Sequence, residues 1–190
     1  MSNSRLHNVP SFTKRSGLPD AVAACGLAMV ASGQLSDARR LAEQAMGRSV
    51  APLSALRRLT LLAPGSILVF ESKNVVTGVL GVLPLTEAGL RRLLGGSLEL
   101  TDPRRSIVAN TFDQAFALYA MGIAAVGKDA ARAVVAGVVR LREAFPEVAF
   151  YARPVTDAGR RVLVERLGCV AVPESPLMVS PAASAMGAAA

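Results

Sequence analysis

The stretch 115–145 constrains the fold more than any other part of the chain. A nearly uncharged run, residues 115–126, ends at Gly127, and a helical pattern begins at once with Lys128 and Arg132 in its first turns. Val134, Val138, Leu141 and Phe145 recur at helical spacing through residues 130–145 and make one apolar stripe. At about 100° per residue, Lys128 and Arg132 fall together on roughly the opposite face. Pro146 closes the helix, and residues 148–152 read as a buried strand. Two strands joined by a helix are expected to lie parallel, with a right-handed connection. Strand, tight turn and a helix with a basic start also form a physical anion site. The first N–H groups of the helix are free, and its dipole favours negative charge there.

The flanking sequence fills in the rest of the architecture. Residues 1–10 are polar and expected to be loose, residues 11–15 form a candidate strand, and Leu18-Pro19-Asp20 looks like a helix start. An apolar helix is expected over 21–31, stopped by Gly33. Ser36 can cap a second helix, 37–46, and a third covers 52–62 with Arg57 and Arg58 outward. Residues 67–71 and 75–83 read as a hairpin across the short polar loop Ser72-Lys73-Asn74. The second of these strands is apolar on both faces, as suits a central strand covered by helices on each side. Its glycines, Gly78 and Gly81, permit close approach by a ligand or by tightly packed neighbours. Thr86 can cap a helix to Leu94, ended by Gly95-Gly96. Residues 97–112 read as a polar loop, either a lid beside a site or a solvated connector. After the crossover, Thr156 or Asp157 caps a helix over 158–167, and 169–172 is a short closing strand ended by Pro173. The expected fold is α/β, with a mixed, partly antiparallel central sheet and helices on both faces. Residues 1–173 form one domain, and 174–190, rich in Ala, Ser and Pro, read as a tail.

Composition narrows the function. The 190 residues suit a single domain with a full core. The net charge of +7 admits nucleic acid, an anionic membrane or a polyanionic cofactor as partner, or a generally basic surface. The basic residues are spread in pairs such as Arg39-Arg40 and Arg160-Arg161, with no run that marks a nucleic-acid tail. Aromatics make up 4%, with no Trp, which leaves little for stacking bases, so no nucleic-acid partner is expected. No uncharged apolar stretch reaches the roughly 18–20 residues of a membrane span. Residues 21–33 resemble the core of an export signal after Lys14 and Arg15, but Asp20 sits at their edge and they begin late. Cys25 and Cys169 lie in apolar contexts and read as reduced core residues of a cytoplasmic protein. One histidine, His7, in a polar segment leaves no zinc cluster and no catalytic triad, so no metal is expected.

The order of elements resembles the GNAT acyltransferase superfamily over residues 66–172, and more loosely before that. The family's signature is Q/R-x-x-G-x-G/A after a strand that often reads V-x-P. Here Ile123-Ala124-Ala125 stands where V-x-P would be, and Lys128-x-x-Ala131-x-Ala133 stands in the signature, with both glycines replaced by alanine. The family's later N-x-x-A-x-x-L-Y-E-K-x-G-F block is echoed by D-A-G-R-R-V-L-V-E-R-L-G-C, in which Glu165, Arg166 and Gly168 match in type and spacing.

The resemblance implies transfer of an acyl group, such as acetyl, from CoA to a small-molecule or protein amine, with the cofactor lying where the long strand and the next splay apart. It implies that Ile123, Ala124 and Ala125 offer backbone groups to pantetheine and to the oxyanion. Lys128, Asp129, Ala130, Ala131, Arg132 and Ala133 would hold the pyrophosphate, and Arg160 or Arg161 would reach the adenosine phosphate. The family often carries a Tyr acid in the later block; Val164 stands there instead. Tyr119 and Tyr151, the two tyrosines of the chain, are the candidate acids, or core filling. Glu71, and next Asp113, are the candidate bases, or exposed charges; a water relay needs neither. A non-catalytic module of the same fold that binds acyl-CoA or a protein partner is the alternative reading. The oligomeric state stays open, a homodimer included.

Overall fold

The computed structural model describes residues 22–47 and 50–183. The architecture is α/β: the described residues form one seven-stranded mixed sheet, mostly antiparallel, with five helices. In chain order these are β1 (Leu27–Met29), α1 (Leu35–Met46), α2 (Leu53–Leu62), β2 (Ile67–Ser72), β3 (Val75–Leu85), α3 (Glu87–Leu94), β4 (Ala117–Ala125), α4 (Lys128–Ala144), β5 (Ala149–Ala152), α5 (Asp157–Leu167), β6 (Val170–Ala171) and β7 (Met178–Ser180). The strand order is β1-β2-β3-β4-β5-β7-β6, and β4 and β5 form the parallel pair.

The central hairpin follows from its loop. Lys73 and Asn74 both take positive φ (52° and 62°), the geometry of a two-residue hairpin turn, and β2 pairs with β3 across it. On one face of the sheet, Leu68, Leu80, Val82, Leu118 and Phe150 pack against Val134, Val138, Leu141 and Phe145, the stripe of α4. Burying each of these side chains contributes roughly 1.5–3 kcal/mol. On the other face, Ile67, Val69 and Val79 meet Leu35, Ala38 and Leu41 of α1 and Leu56 of α2. Gly78 lies under α4 so closely that a Cβ there would come within 2.9 Å of Val134 Cγ2, so tight packing explains it. No helix among the described residues is long and apolar enough to cross a membrane.

Four expectations need correction. The helix expected over 21–31 is absent from 27 onward. Gly26, at φ 75°, turns the chain, and Leu27–Met29 pair with Phe70–Leu68 as an edge strand. The second helix starts at Leu35 with Gln34 at its N-cap, so Ser36 is not the cap. The loop 97–112 is not polar and solvated throughout: residues 97–106 are mostly exposed, with Leu98 and Leu100 half-buried, but the apolar residues of 107–112 pack inward. Ile107, Val108 and Phe112 are buried, Val108 bridges to Leu85, and Asp102 binds Arg58 and Arg104. The described part of the expected tail holds β7, whose Met178 and Ser180 are buried between β5 and β6. The candidate strand at 11–15, the helix start at 18–20 and His7 lie outside the described residues. Cys25 and Cys169 are free thiols, and burial pushes that of Cys169 up to about 11.

Candidate functional site

The site begins with a break in one strand. Gly81 pairs with Gly122, yet Val82 pairs with Ala120, so Met121 is an extra residue in β4. Such a bulge bends its strand and turns neighbouring side chains to the same face. Before the bulge, β4 has β3 on one edge and β5 on the other, in register from Ala117↔Ala149 to Ala120↔Ala152. After it, β3 stays paired through Ala125 while β5 has ended, with Arg153-Pro154 leading the chain away.

The direction of the free backbone groups follows from the register. Successive residues of a strand point their N–H and C=O to opposite edges. The Val126 N–H donates to the Thr77 oxygen at 2.8 Å, toward β3. Counting back, Ala124 also faces β3, whereas Ala125 and Ile123 turn their N–H and C=O toward the gap left by β5.

That gap is a cleft of about 370 Å³. One wall is β4 from Tyr119 to Ala125, and another is Ala131, Val134, Val135 and Val138 of α4. Arg153 to Thr156 and the first turns of α5 close the third side, and Ala45 and Met46 of α1 reach it from the opposite face of the sheet. The lining is mostly apolar, and Ile123 and Val155 in it are exposed.

Gly127 connects β4 to α4 at the mouth of the cleft, with φ 87° and ψ 161°. No side chain caps the start of α4. By contrast α5, across the cleft, is capped by Thr156, whose hydroxyl accepts from the Gly159 N–H at 3.0 Å. Lys128 is exposed at the first position of α4, and Arg132 pairs with Asp129 at 3.3 Å. Asp129 is thus held toward a cation on the helix surface. Ala130 and Ala133 are buried against the sheet, and Ala131 alone of residues 128–133 lines the cleft.

The candidate acids and bases separate. Tyr119 lines the cleft, and Tyr151 is its register partner on β5 but does not line it. Burial raises the phenol of Tyr151 above its ordinary value. Glu71 sits exposed at the hairpin end of β2, and Asp113 is exposed in a short 3-10 turn, Phe112–Gln114; neither lines the cleft. Arg160 and Arg161 are exposed on α5.

Two functional candidates escape a reading of the sequence. Arg153 lines both the cleft and a second, more polar cavity of about 370 Å³, and Tyr119 is also shared by the two. Glu174 and Ser175, on the connection between β6 and β7, line the second cavity with Gly95, Gly96 and Leu98. Arg153-Pro154 at a strand end was the available signal for the first. Glu174 carried none, since it lay in the expected tail. Among the described residues, no group of three or more His, Cys, Asp or Glu could hold a metal ion. No family model matches the chain, and no curated protein or solved structure matches it either.

Proposed function

We propose that the chain is an acyl-CoA-dependent N-acyltransferase of the GNAT type, probed most directly at the cleft between β4 and β5. The observation that carries this reading is the coincidence of two unfilled hydrogen-bonding surfaces at one mouth. The free edge of β4 at Ile123 and Ala125 can pair with the amides of pantetheine as a strand would. The uncapped start of α4, with Lys128, can take the pyrophosphate. The space between is apolar and within the range of small-ligand sites, about 300–1,000 Å³.

The chemistry then runs through few side chains. The acceptor amine comes in from the second cavity, where Glu174 attracts it in its protonated form. The neutral amine attacks the thioester carbonyl, and the Ile123 N–H stabilises the oxygen as it gains charge. As the C–N bond forms and the C–S bond breaks, the thiolate takes a proton from Tyr119. The amine gives one proton to water before it attacks, and the proton it sheds as the amide forms returns through water to Tyr119.

One observation favours the alternative of a non-catalytic acyl-CoA-binding module. Among the residues lining the cleft there is no carboxylate, and Tyr119 is the one proton donor of the acid–base kind. Turnover separates the two: both bind CoA, and only the enzyme releases free thiol on mixing with acyl-CoA and amines.

The test is thermal unfolding with CoA and acyl-CoAs, since a ligand that binds the folded state raises the midpoint. Charge reversal at two exposed positions, Lys128→Glu with Arg132→Glu, is expected to weaken CoA binding by on the order of tenfold or more. It should leave the ligand-free midpoint unchanged. No midpoint shift with any CoA species sinks the proposal, and full binding by the double variant removes the pyrophosphate from the start of α4.

A further inference from the structure

A third cavity lies beneath α1, and acyl transfer as described above makes no use of it. It measures about 80 Å³ and is walled by Leu35, Ala38, Ala42, Val79 and Leu100 among others. Three residues belong both to its wall and to that of the cleft: Met46, Met121 and Gly122. The bulge builds this shared partition. The extra residue in β4 puts Met121 and Gly122 on the α1 face together.

The partition is the part of the wall that can open without moving the backbone. Gly122 contributes no side chain, and a Cβ there would find Met46 Cε at 3.7 Å and Sδ at 3.9 Å. Met46 and Met121 are half-buried thioethers on unbranched, freely rotating stems. Among the described residues the one charged member of the lining is Arg39, and it is already engaged. Its Nη2 donates to Glu43 at 2.6 Å and its Nε to the Ala51 oxygen at 3.1 Å. The cavity therefore suits an uncharged, apolar group that reaches it from the cleft.

We infer that this cavity takes the distal carbons of the acyl chain, and that the preferred donor is a short, uncharged acyl-CoA of the butyryl class. The inference rests on the acyl-transfer reading of the cleft. With the thioester oxygen at the Ile123 N–H, the chain passes over Gly122 and between the two methionines. An apolar cavity of about 150 Å³ takes the six carbons of benzene, so one of about 80 Å³ holds about three. A longer chain overfills it, and a terminal carboxylate finds no free cation among the described residues that line it.

The experiment is a calorimetric titration of the full chain with CoA and with acetyl-, butyryl-, octanoyl- and succinyl-CoA. Each buried methylene is worth roughly a fourfold gain in affinity, so butyryl-CoA, with two more, should bind about fifteenfold more tightly than acetyl-CoA. Ala42 lines this cavity but not the cleft, so Ala42→Leu fills it from α1. The variant should bring butyryl-CoA down to the affinity of acetyl-CoA and leave acetyl-CoA itself unchanged. Equal affinities for acetyl- and butyryl-CoA in the natural chain overturn the inference, as does a preference for the octanoyl or succinyl ester. A butyryl preference that survives Ala42→Leu also overturns it, by placing the chain elsewhere. If CoA and all its esters fail to bind, the acyl-transfer reading falls and this assignment falls with it. The series on the natural chain decides the matter even if the variant does not fold.

Discussion

Between Ala117 and Ala120, strand β4 has a partner on both edges; over residues 121–125 it has a partner on one. The two halves are alike in composition, small and apolar, and they are continuous. They differ because one residue is inserted at Met121 and because β5 is four residues long. In the closed half the backbone groups are satisfied within the sheet, and Leu118 is wholly buried beneath α4. In the open half the outward N–H and C=O groups of Ile123 and Ala125 need water or a ligand. The closed end is also tied from outside the strands. Arg142 of α4 donates to the backbone oxygens of Phe145, Pro146 and Pro181 and to the Ser180 hydroxyl, lashing the end of β7 to the helix. The comparison teaches that stability and binding divide along a single strand.

The division breaks most visibly if core loss is equal at the two ends. Leu118→Ala should cost about 3–4 kcal/mol, the transfer loss plus an unfilled cavity. Ile123→Ala should cost under about 1 kcal/mol, because its side chain is already exposed at the cleft. Urea unfolding measures both. A loss at Ile123 as large as at Leu118 would show that the open half belongs to the core after all.

Next in size is the outer tie. Arg142→Ala removes four charge-assisted hydrogen bonds at a half-buried position and should cost about 2 kcal/mol. Arg142→Lys should recover only part, since a single ammonium cannot reproduce the planar fork of donors. Thermal unfolding reads both. The affinity for CoA should stay at the natural value in each, and a change would mean that the closed end governs the open one.

How much of this could be read in the residues depends on how local each signal is. The α4 stripe, the Thr86 cap, the α5 cap down to Thr156 or Asp157, and the hairpin loop at Ser72-Lys73-Asn74 lie within a few residues of what they cause, and all are legible. Helix 21–31 was misread because the apolar content of Leu27–Met29 suits a helix or an edge strand equally, and pairing with β2 decided it. β7 was missed for a similar reason: three residues after a Pro- and Ser-rich stretch become a strand only because β5 and β6 flank them. Of the stretch 123–133, Ile123, Ala124, Ala125 and Ala131 line the cleft, and the cause of the cleft is not written in that stretch. A bulge at Met121 exists only against β3, and nothing in Tyr119-Ala120-Met121-Gly122 announces it. Glu71 reads as the best-placed carboxylate because it ends the hairpin strand, and the sheet order sets it two strands from the cleft.

The finest test of the division uses two glycines that hold positive φ in different places. Gly127 holds φ 87° and ψ 161°, a region that other residues scarcely enter, and Gly168 holds the left-handed φ 60° and ψ 29° after α5. A Cβ at either position meets nothing within 4 Å, so alanine brings backbone strain without a clash. Gly168→Ala should cost about 1–2 kcal/mol in urea unfolding and Gly127→Ala about 2–3 kcal/mol. Gly168→Ala should stop there, because the end of α5 carries no part of the cleft. Gly127→Ala can relieve its strain only by rotating the start of α4, which re-aims the N–H groups of residues 128–130. Its affinity for CoA should therefore fall severalfold more than its stability loss alone would produce. Equal CoA affinity in the two variants would mean that the geometry at Gly127 serves the fold and not the anion.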